Sequence, residues 1–313
     1  MGHMVGSVRN LLALGLTCAA ATALLSCRGA SSSSHRSFPT PEAAVRALIG
    51  AVERGQVPEM LAIFGPDAQA LIGSADPATA RRHRQVFRAA AAERWQLVDH
   101  SANERLLVIG NEDWPFPVPL VKSDQRWRFD TAAGKEEVVA RRIGRNELSA
   151  IRACRISVFA QRSYARARHD GKRAGLYATT FRSDPGRQNG LYWPAARGVK
   201  RSPLGDLLAE AADSGQLQRP ENRPAPFHGY YFRILTAQGP SAAGGAKNYL
   251  VTGELSGGFA LVAWPAQYDV TGVMTFSVNH DGIVRQKDLG ATTGDVARAM
   301  SRYDPDATWS PAR

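Results

Sequence analysis

The chain has 313 residues, with 39 Lys plus Arg against 28 Asp plus Glu and a formal net charge of +11. Hydrophobic residues make up 44% and charged residues 21%, which excludes wholesale disorder, and the length suggests about two domains able to bury an ordinary core. Three cysteines exclude a disulfide framework. The chain opens with an uncharged run over residues 10–26 behind Arg9, 17 residues rich in Ala, Leu and Thr. That is shorter than the roughly 20 apolar residues a spanning helix needs, and it ends in small residues, the pattern of a secretory signal segment.

The end of this run, Leu24-Leu25-Ser26-Cys27, resembles the lipobox of bacterial lipoproteins. The resemblance implies a signal peptide over residues 1–26, cleavage between Ser26 and Cys27, and acylation of Cys27. The implied partner is the membrane, held through the acyl anchor. Arg28 stands where an Asp marks retention at the inner membrane, so the resemblance leans to the outer membrane, facing the periplasm. An ordinary secreted protein and a short anchor helix are the alternatives. Residues 27–37 are small and polar after the cysteine and read as a lipidated flexible tether. Cys154 is then the remaining thiol, and its helical surroundings favour a buried small hydrophobe over a nucleophile.

Residues 38–142 read as an N-terminal α+β domain. Thr40-Pro41-Glu42 gives an N-cap, a first-turn proline and an acidic first turn, and Val45, Leu48, Ile49 and Val52 follow at helical spacing up to Gly55. A short helix follows Pro58, and residues 77–95 read as another. Leu106–Ile109 reads as a short strand. Residues 114–121 carry Pro115, Pro117 and Pro119 and predict an edge strand or extended segment; Arg126–Phe129 alternates as a half-buried strand. Helices followed by a curled antiparallel sheet ending in W-x-F-D resemble the element order of NTF2-like domains.

Residues 135–168 predict a basic helix, interrupted at Gly144. At 100° per residue, Arg141, Arg145, Arg152, Arg155, Arg162 and Arg166 fall within an arc of about 100°, with Ala150, Ile151, Cys154 and Val158 broadly opposite. Leu148 and Phe159 lie among the arginines, so contact on more than one side is expected. This face is either a solvated surface or a site for an anionic partner such as phospholipid headgroups.

A C-terminal domain over residues 143–290 is expected as a helix plus an antiparallel sheet, followed by a tail over 291–313. Residues 171–226 read as an ordered excursion with aromatic anchors. They include a short helix over 204–212 and an extended linker over 219–226. Strands are predicted at 230–235, 248–252, 259–264, 273–278 and 283–287, with a tight turn at Asn279-His280-Asp281-Gly282. Short turns between successive strands imply a meander.

Several segments resemble the bacterial domain of unknown function number 2950. They are Arg142-Ile143-Gly144-Arg145-Asn146-Glu147-Leu148, Gly190-Leu191-Tyr192-Trp193-Pro194, Ser202-Pro203-Leu204-Gly205, the stretch from His228 to Pro240, and Gly257 to Pro265. Gly272 to Phe276 and Gln286 to Gly290 extend the likeness over most of residues 38–290. The resemblance carries no activity to transfer. A helix followed by this meander is also similar to the globular heads of pilin-like proteins, without their membrane helix.

No nucleophile elbow, phosphate loop, dinucleotide fingerprint or H-E-x-x-H pattern occurs. His169-Asp170 and His280-Asp281 each precede Gly and read as turn chemistry. Glu112-Asp113 and Glu136-Glu137 are adjacent carboxylates, poorly placed for joint acid–base work. His228, Tyr230 and Tyr231 are the candidate pocket residues. No catalytic residue, metal site or cofactor is assigned, and no nucleic-acid motif is present. The reading is a cell-envelope lipoprotein serving binding or assembly, with an envelope protein as a further partner. A periplasmic hydrolase acting on cell-wall or peptide material and an anionic-lipid-binding envelope protein are the alternatives.

Overall fold

The computed structural model describes residues 35–72, 77–205 and 226–313. The signal segment, Cys27, the tether up to residue 34, and nearly all of the predicted 204–212 helix and 219–226 linker lie outside the described residues.

The first half begins with helices α1 (Pro41–Glu53), α2 (Val57–Phe64), α3 (Gln69–Ile72) and α4 (Pro77–Glu93). Thr40 caps α1 as its sequence predicts, its hydroxyl oxygen accepting from Ala43 N at 3.1 Å. Strands β1 (Trp95–Ser101), β2 (Glu104–Ile109), β3 (Trp114–Pro115), β4 (Leu120–Ser123) and β5 (Arg126–Phe129) follow. They form an antiparallel sheet in the order β1-β2-β4-β5, with β3 also pairing β2. Val45, Leu48, Met60 and Ile63 from the helices meet Leu107, Ile109, Leu120 and Phe129 from the sheet in one core.

Two expectations change in this half. The helix predicted to residue 95 stops at Glu93, and β1 takes over at Trp95. Trp95 and Leu97 turn toward the core while Gln96 and Val98 stay exposed, a period of two that a helix cannot hold. The proline segment is not one edge strand. Pro115 sits in β3, whereas Pro117 and Pro119 lie in the crossing between β3 and β4, where no ladder donor is required.

Helix α5 (Thr131–Ala165) runs unbroken for 35 residues, about 50 Å. The Asp130 carboxylate caps it, accepting from Ala132 N and Ala133 N at 3.2 Å. Gly134 lets the first turn press on the sheet crossing: a Cβ there would stand 2.6 Å from Val118 Cγ2. The break predicted at Gly144 does not occur. A glycine in a helix costs only about 1 kcal/mol, and flanking side chains clamp this stretch to the second half. Arg142 Nε donates to Val270 O at 3.0 Å and Asn146 Nδ2 to Thr271 O at 2.9 Å. Glu147 Oε1 accepts from Val273 N at 2.9 Å and Met274 N at 3.0 Å.

The second half contains a short parallel pair, β6 (Thr180–Arg182) with β7 (Gly190–Tyr192). Then come β8 (Tyr230–Leu235), β9 (Ala237–Gln238), β10 (Lys247–Asn248), β11 (Leu250–Val251), β12 (Glu254–Leu255), β13 (Ala260–Pro265), β14 (Met274–Asn279) and β15 (Arg285–Asp288). Helix α6 (Thr293–Ala299) and β16 (Ser310–Pro311) end the chain. The main sheet has the order β16-β15-β14-β13-β8 and is antiparallel throughout. Ala150, Ile151, Cys154 and Val158 of α5 pack with Tyr230, Phe276 and Val278. Gly282, at φ 89°, turns the β14–β15 hairpin as its sequence predicts, its N–H donating to Asn279 O at 3.0 Å. The C-terminal residues do not trail as a tail. Ala297 and Tyr303 are buried, and β16 pairs with β15.

The fold is α+β, with antiparallel sheets that do not close into a barrel. Among the described residues no helix is long and apolar enough to cross a membrane.

Candidate functional site

The outer face of α5 is the first candidate. Residues 145, 148, 152, 155, 159, 162 and 166 alternate at three and four residues, so they form one line along the helix for about 30 Å. All seven are exposed: five arginines with Leu148 at 65% and Phe159 at 67% between them. Arg145, Arg152, Arg155 and Arg166 face no carboxylate within ion-pair distance among the described residues. Arg162 donates to His280 O at 2.7 Å, a neutral acceptor that leaves its charge uncompensated. Arg141 departs from the predicted set. It pairs with Glu137 at 2.7 Å, donates to Pro115 O at 2.7 Å and lies 5.6 Å from the Trp114 ring centre, so it is spent on tying α5 to the first sheet. The buried side of the same helix carries the apolar residues predicted for it.

The second candidate is a cleft of about 200 Å³ where the excursion after α5 meets the β11–β12 hairpin. Its inner wall is an aromatic stack: the Tyr164 and His169 rings lie 3.9 Å apart at 14°, with Trp193 5.6 Å beyond His169. His169 Nε2 is 3.0 Å from Tyr164 O and Nδ1 is 3.4 Å from Gln188 Oε1, so an oxygen faces each ring nitrogen. Tyr164 donates its hydroxyl to Gln188 O at 2.7 Å; burial, then the nearby Asp170 charge, pushes its pKa up to about 12. Leu176, Tyr177 and Leu255 supply apolar surface. Lys172, Arg173, Arg187, Asp170 and Glu254 supply charge around it.

The pocket residues read from the sequence do not converge. Neighbours on a strand point to opposite faces. Tyr230 is fully buried beneath α5, donating to Met274 O at 2.9 Å, and burial followed by the Glu147 charge raises its pKa. Tyr231 points to the other face and packs on Trp264, 5.8 Å between ring centres. His228 sits at φ 44° in the turn before β8, its ring against Phe227. Glu137 is paired with Arg141 and Asp113 with Arg94, so each adjacent carboxylate pair supplies a surface ion pair. His280 Nε2 lies 3.6 Å from Asp281 Oδ1. Cys154 is fully buried and its thiol is pushed up to about 12 by burial, far from a nucleophile's range. Among the described residues no group of three His, Cys, Asp or Glu side chains is placed to hold a metal ion.

Sequence reasoning missed the cleft because it joins residues 164–189 to 253–255. One signal was present: His169-Asp170-Gly171 is a turn, as its sequence predicts, with Asp170 at φ 48°. That turn is what brings Lys172 and Arg173 back over the end of α5.

These features define an α+β protein with two five-stranded antiparallel sheets, a basic helix face and a charged cleft. The chain belongs to the family described as Protein of unknown function (DUF2950), which matches residues 35–312. No curated protein and no solved structure matches the chain significantly. The likenesses to NTF2-like domains and pilin heads therefore rest on element order and short sequence patterns alone.

Proposed function

We propose that this is a cell-envelope lipoprotein, anchored through Cys27, that acts as a binding module and lays the outer face of α5 on an anionic bilayer surface. The observation that carries the reading is the line of five arginines with exposed Leu148 and Phe159 between them and no compensating carboxylate among the described residues. Arginines along a surface helix can reach lipid phosphates bidentately, and the two apolar side chains can sink between headgroups. Each basic residue near an anionic surface contributes about 1 kcal/mol, so five give about 5 kcal/mol at low salt. The likeness of Leu24–Cys27 to a lipobox supports the envelope location, and Arg28 in place of an Asp after Cys27 supports the outer membrane.

The test uses the acyl-free chain beginning at Arg28 with vesicles of phosphatidylglycerol and phosphatidylcholine. Binding is expected to the first and not the second, and to weaken with salt as exposed charges are screened. Arg152→Glu with Arg155→Glu alters the face by four charges, about 4 kcal/mol, a loss of about a thousandfold. Unchanged sedimentation of the double variant with anionic vesicles sinks the reading.

A further inference from the structure

We infer that the cleft between the end of α5 and the β11–β12 hairpin is a binding site for a small ligand with a carboxylate group on an apolar body. The argument rests on unused hydrogen-bonding capacity at its mouth and is independent of the α5 surface. Lys172 Nζ and Arg173 Nε each stand 3.7 Å from a Glu254 oxygen, and Arg187 Nε stands 3.9 Å from Asp170 Oδ2. All three distances exceed a hydrogen bond, so these carboxylates attract the cations by charge without taking their N–H groups, which face solvent and are open to a ligand. Asp170 is already occupied: both of its oxygens accept from Gln188 N, at 3.0 and 3.1 Å. It is therefore a fixed part of the wall, and Glu254 alone competes for Lys172 and Arg173. Three cations against two carboxylates leave the mouth with one positive charge in excess.

Two of the three cations are arginines, whose planar forks match a carboxylate by paired N–H donors. The apolar surface of Leu176, Tyr177 and Leu255 lies in the same cleft, which an inorganic anion would leave uncovered. The Tyr164–His169 stack behind it is locked by its own hydrogen bonds, so the wall is preformed and little ordering is lost on binding. The volume of about 200 Å³ accommodates a ligand end of one or two residues in size.

The experiment is calorimetric titration of the full chain, in neutral detergent, with acetyl-leucyl-alanine bearing a free carboxylate, with the same peptide as its carboxamide, and with inorganic phosphate. The free acid is expected to bind in the millimolar range or tighter, at least tenfold better than the carboxamide and than phosphate. Arg173→Ala with Arg187→Ala should weaken the free acid at least tenfold. Glu254→Gln should tighten it severalfold by removing the competing carboxylate, an opposite sign that general damage to the fold does not produce. Equal binding of acid and amide, tighter binding of phosphate, no binding of any probe, or an arginine double variant that melts like the parent and binds like it would each overturn the assignment.

Discussion

Arg233 holds the C-terminal helix onto the sheet, and its removal makes a sharp test of how the second half is assembled. Helix α6 has seven residues, well under the roughly 12–15 that an isolated helix needs to persist in water. Its last carbonyls receive the Arg233 guanidinium from β8: Nη1 donates to Arg298 O at 2.8 Å, and Nη2 to Ala297 O at 2.8 Å and to Met300 O. One cation thus reaches three carbonyls at the helix end and complements its negative pole. Charge-assisted bonds contribute about 1.5–3 kcal/mol each, and three that share one side chain are not additive. Counting two as effective gives about 3–6 kcal/mol, or roughly 10²- to 10⁴-fold in the opening equilibrium of this segment. Arg233→Met keeps the aliphatic stem and removes every donor. Hydrogen exchange at the Val296, Met300 and Tyr303 amides, which donate to Thr292 O, Val296 O and Ala237 O, reads the opening directly. Those amides should exchange faster by that factor while Leu107 and Ile109 in the first core do not change. Arg233→Lys retains the charge without the fork and should fall between. Parent-like exchange at all three amides in Arg233→Met would refute the clip.

The alkaline dependence of stability follows from buried thiol and phenol groups, Tyr230 and Tyr303 among them, and three of these set its range. Cys154, Tyr164 and Tyr249 are each pushed up to about 12 by burial, from an ordinary 9.0 for the thiol and 10.0 for the phenols. The folded state keeps these protons where the unfolded chain releases them, so their stabilisation is complete below pH 9 and is lost as pH rises toward 12. Denaturant midpoints should fall from pH 9 upward, by about 1.4 kcal/mol per pH unit from the thiol alone, and Cys154→Ala should flatten the slope between pH 9 and 10; an identical slope in that variant contradicts the assignment. Cells grown on labelled palmitate should yield labelled protein, and Cys27→Ser should yield none; label that persists in the variant, or is absent from the parent, removes the lipid anchor from the proposal.

Local chemistry written in consecutive residues was legible in the sequence. Thr40 caps α1, Arg126–Phe129 alternates as β5, Gly282 turns a hairpin, and the apolar and basic sides of α5 follow from spacing alone. What tertiary packing decides was not legible. Gly144 looked like a stop because its intrinsic cost is visible and the clamps from Val270 to Met274 that offset it are more than 120 residues away. The final segment looked like a tail because α6 is too short to declare itself without Arg233. The cleft was hidden for the same reason: Glu254 and Arg173 are unremarkable charges until a turn at Asp170 and the β11–β12 hairpin face them. Tyr230 and Tyr231 illustrate the opposite error, since strand alternation alone separates them.

On the proposed reading, the lipid anchor and the α5 face constrain one another. An extended chain covers at most about 3.6 Å per residue, so with acyl chains on Cys27 the first described residue, His35, stays within about 30 Å of the bilayer. The arginine line is itself about 30 Å long and belongs to a helix tied near its start, through Gly134 and Arg141, to the first sheet region and at its middle, through Asn146 and Glu147, to the segment leading into β14. A basic face on a body tethered by so short a segment meets the surface at high effective concentration, so a contact too weak to recruit the free chain at physiological salt still orients the anchored one. Orientation, rather than attachment, is therefore what Arg152→Glu with Arg155→Glu should disturb in cells. The acylated variant remains in the membrane fraction, while protease access to the exposed edge of α5 rises; equal access in parent and variant would show that the anchor acts alone.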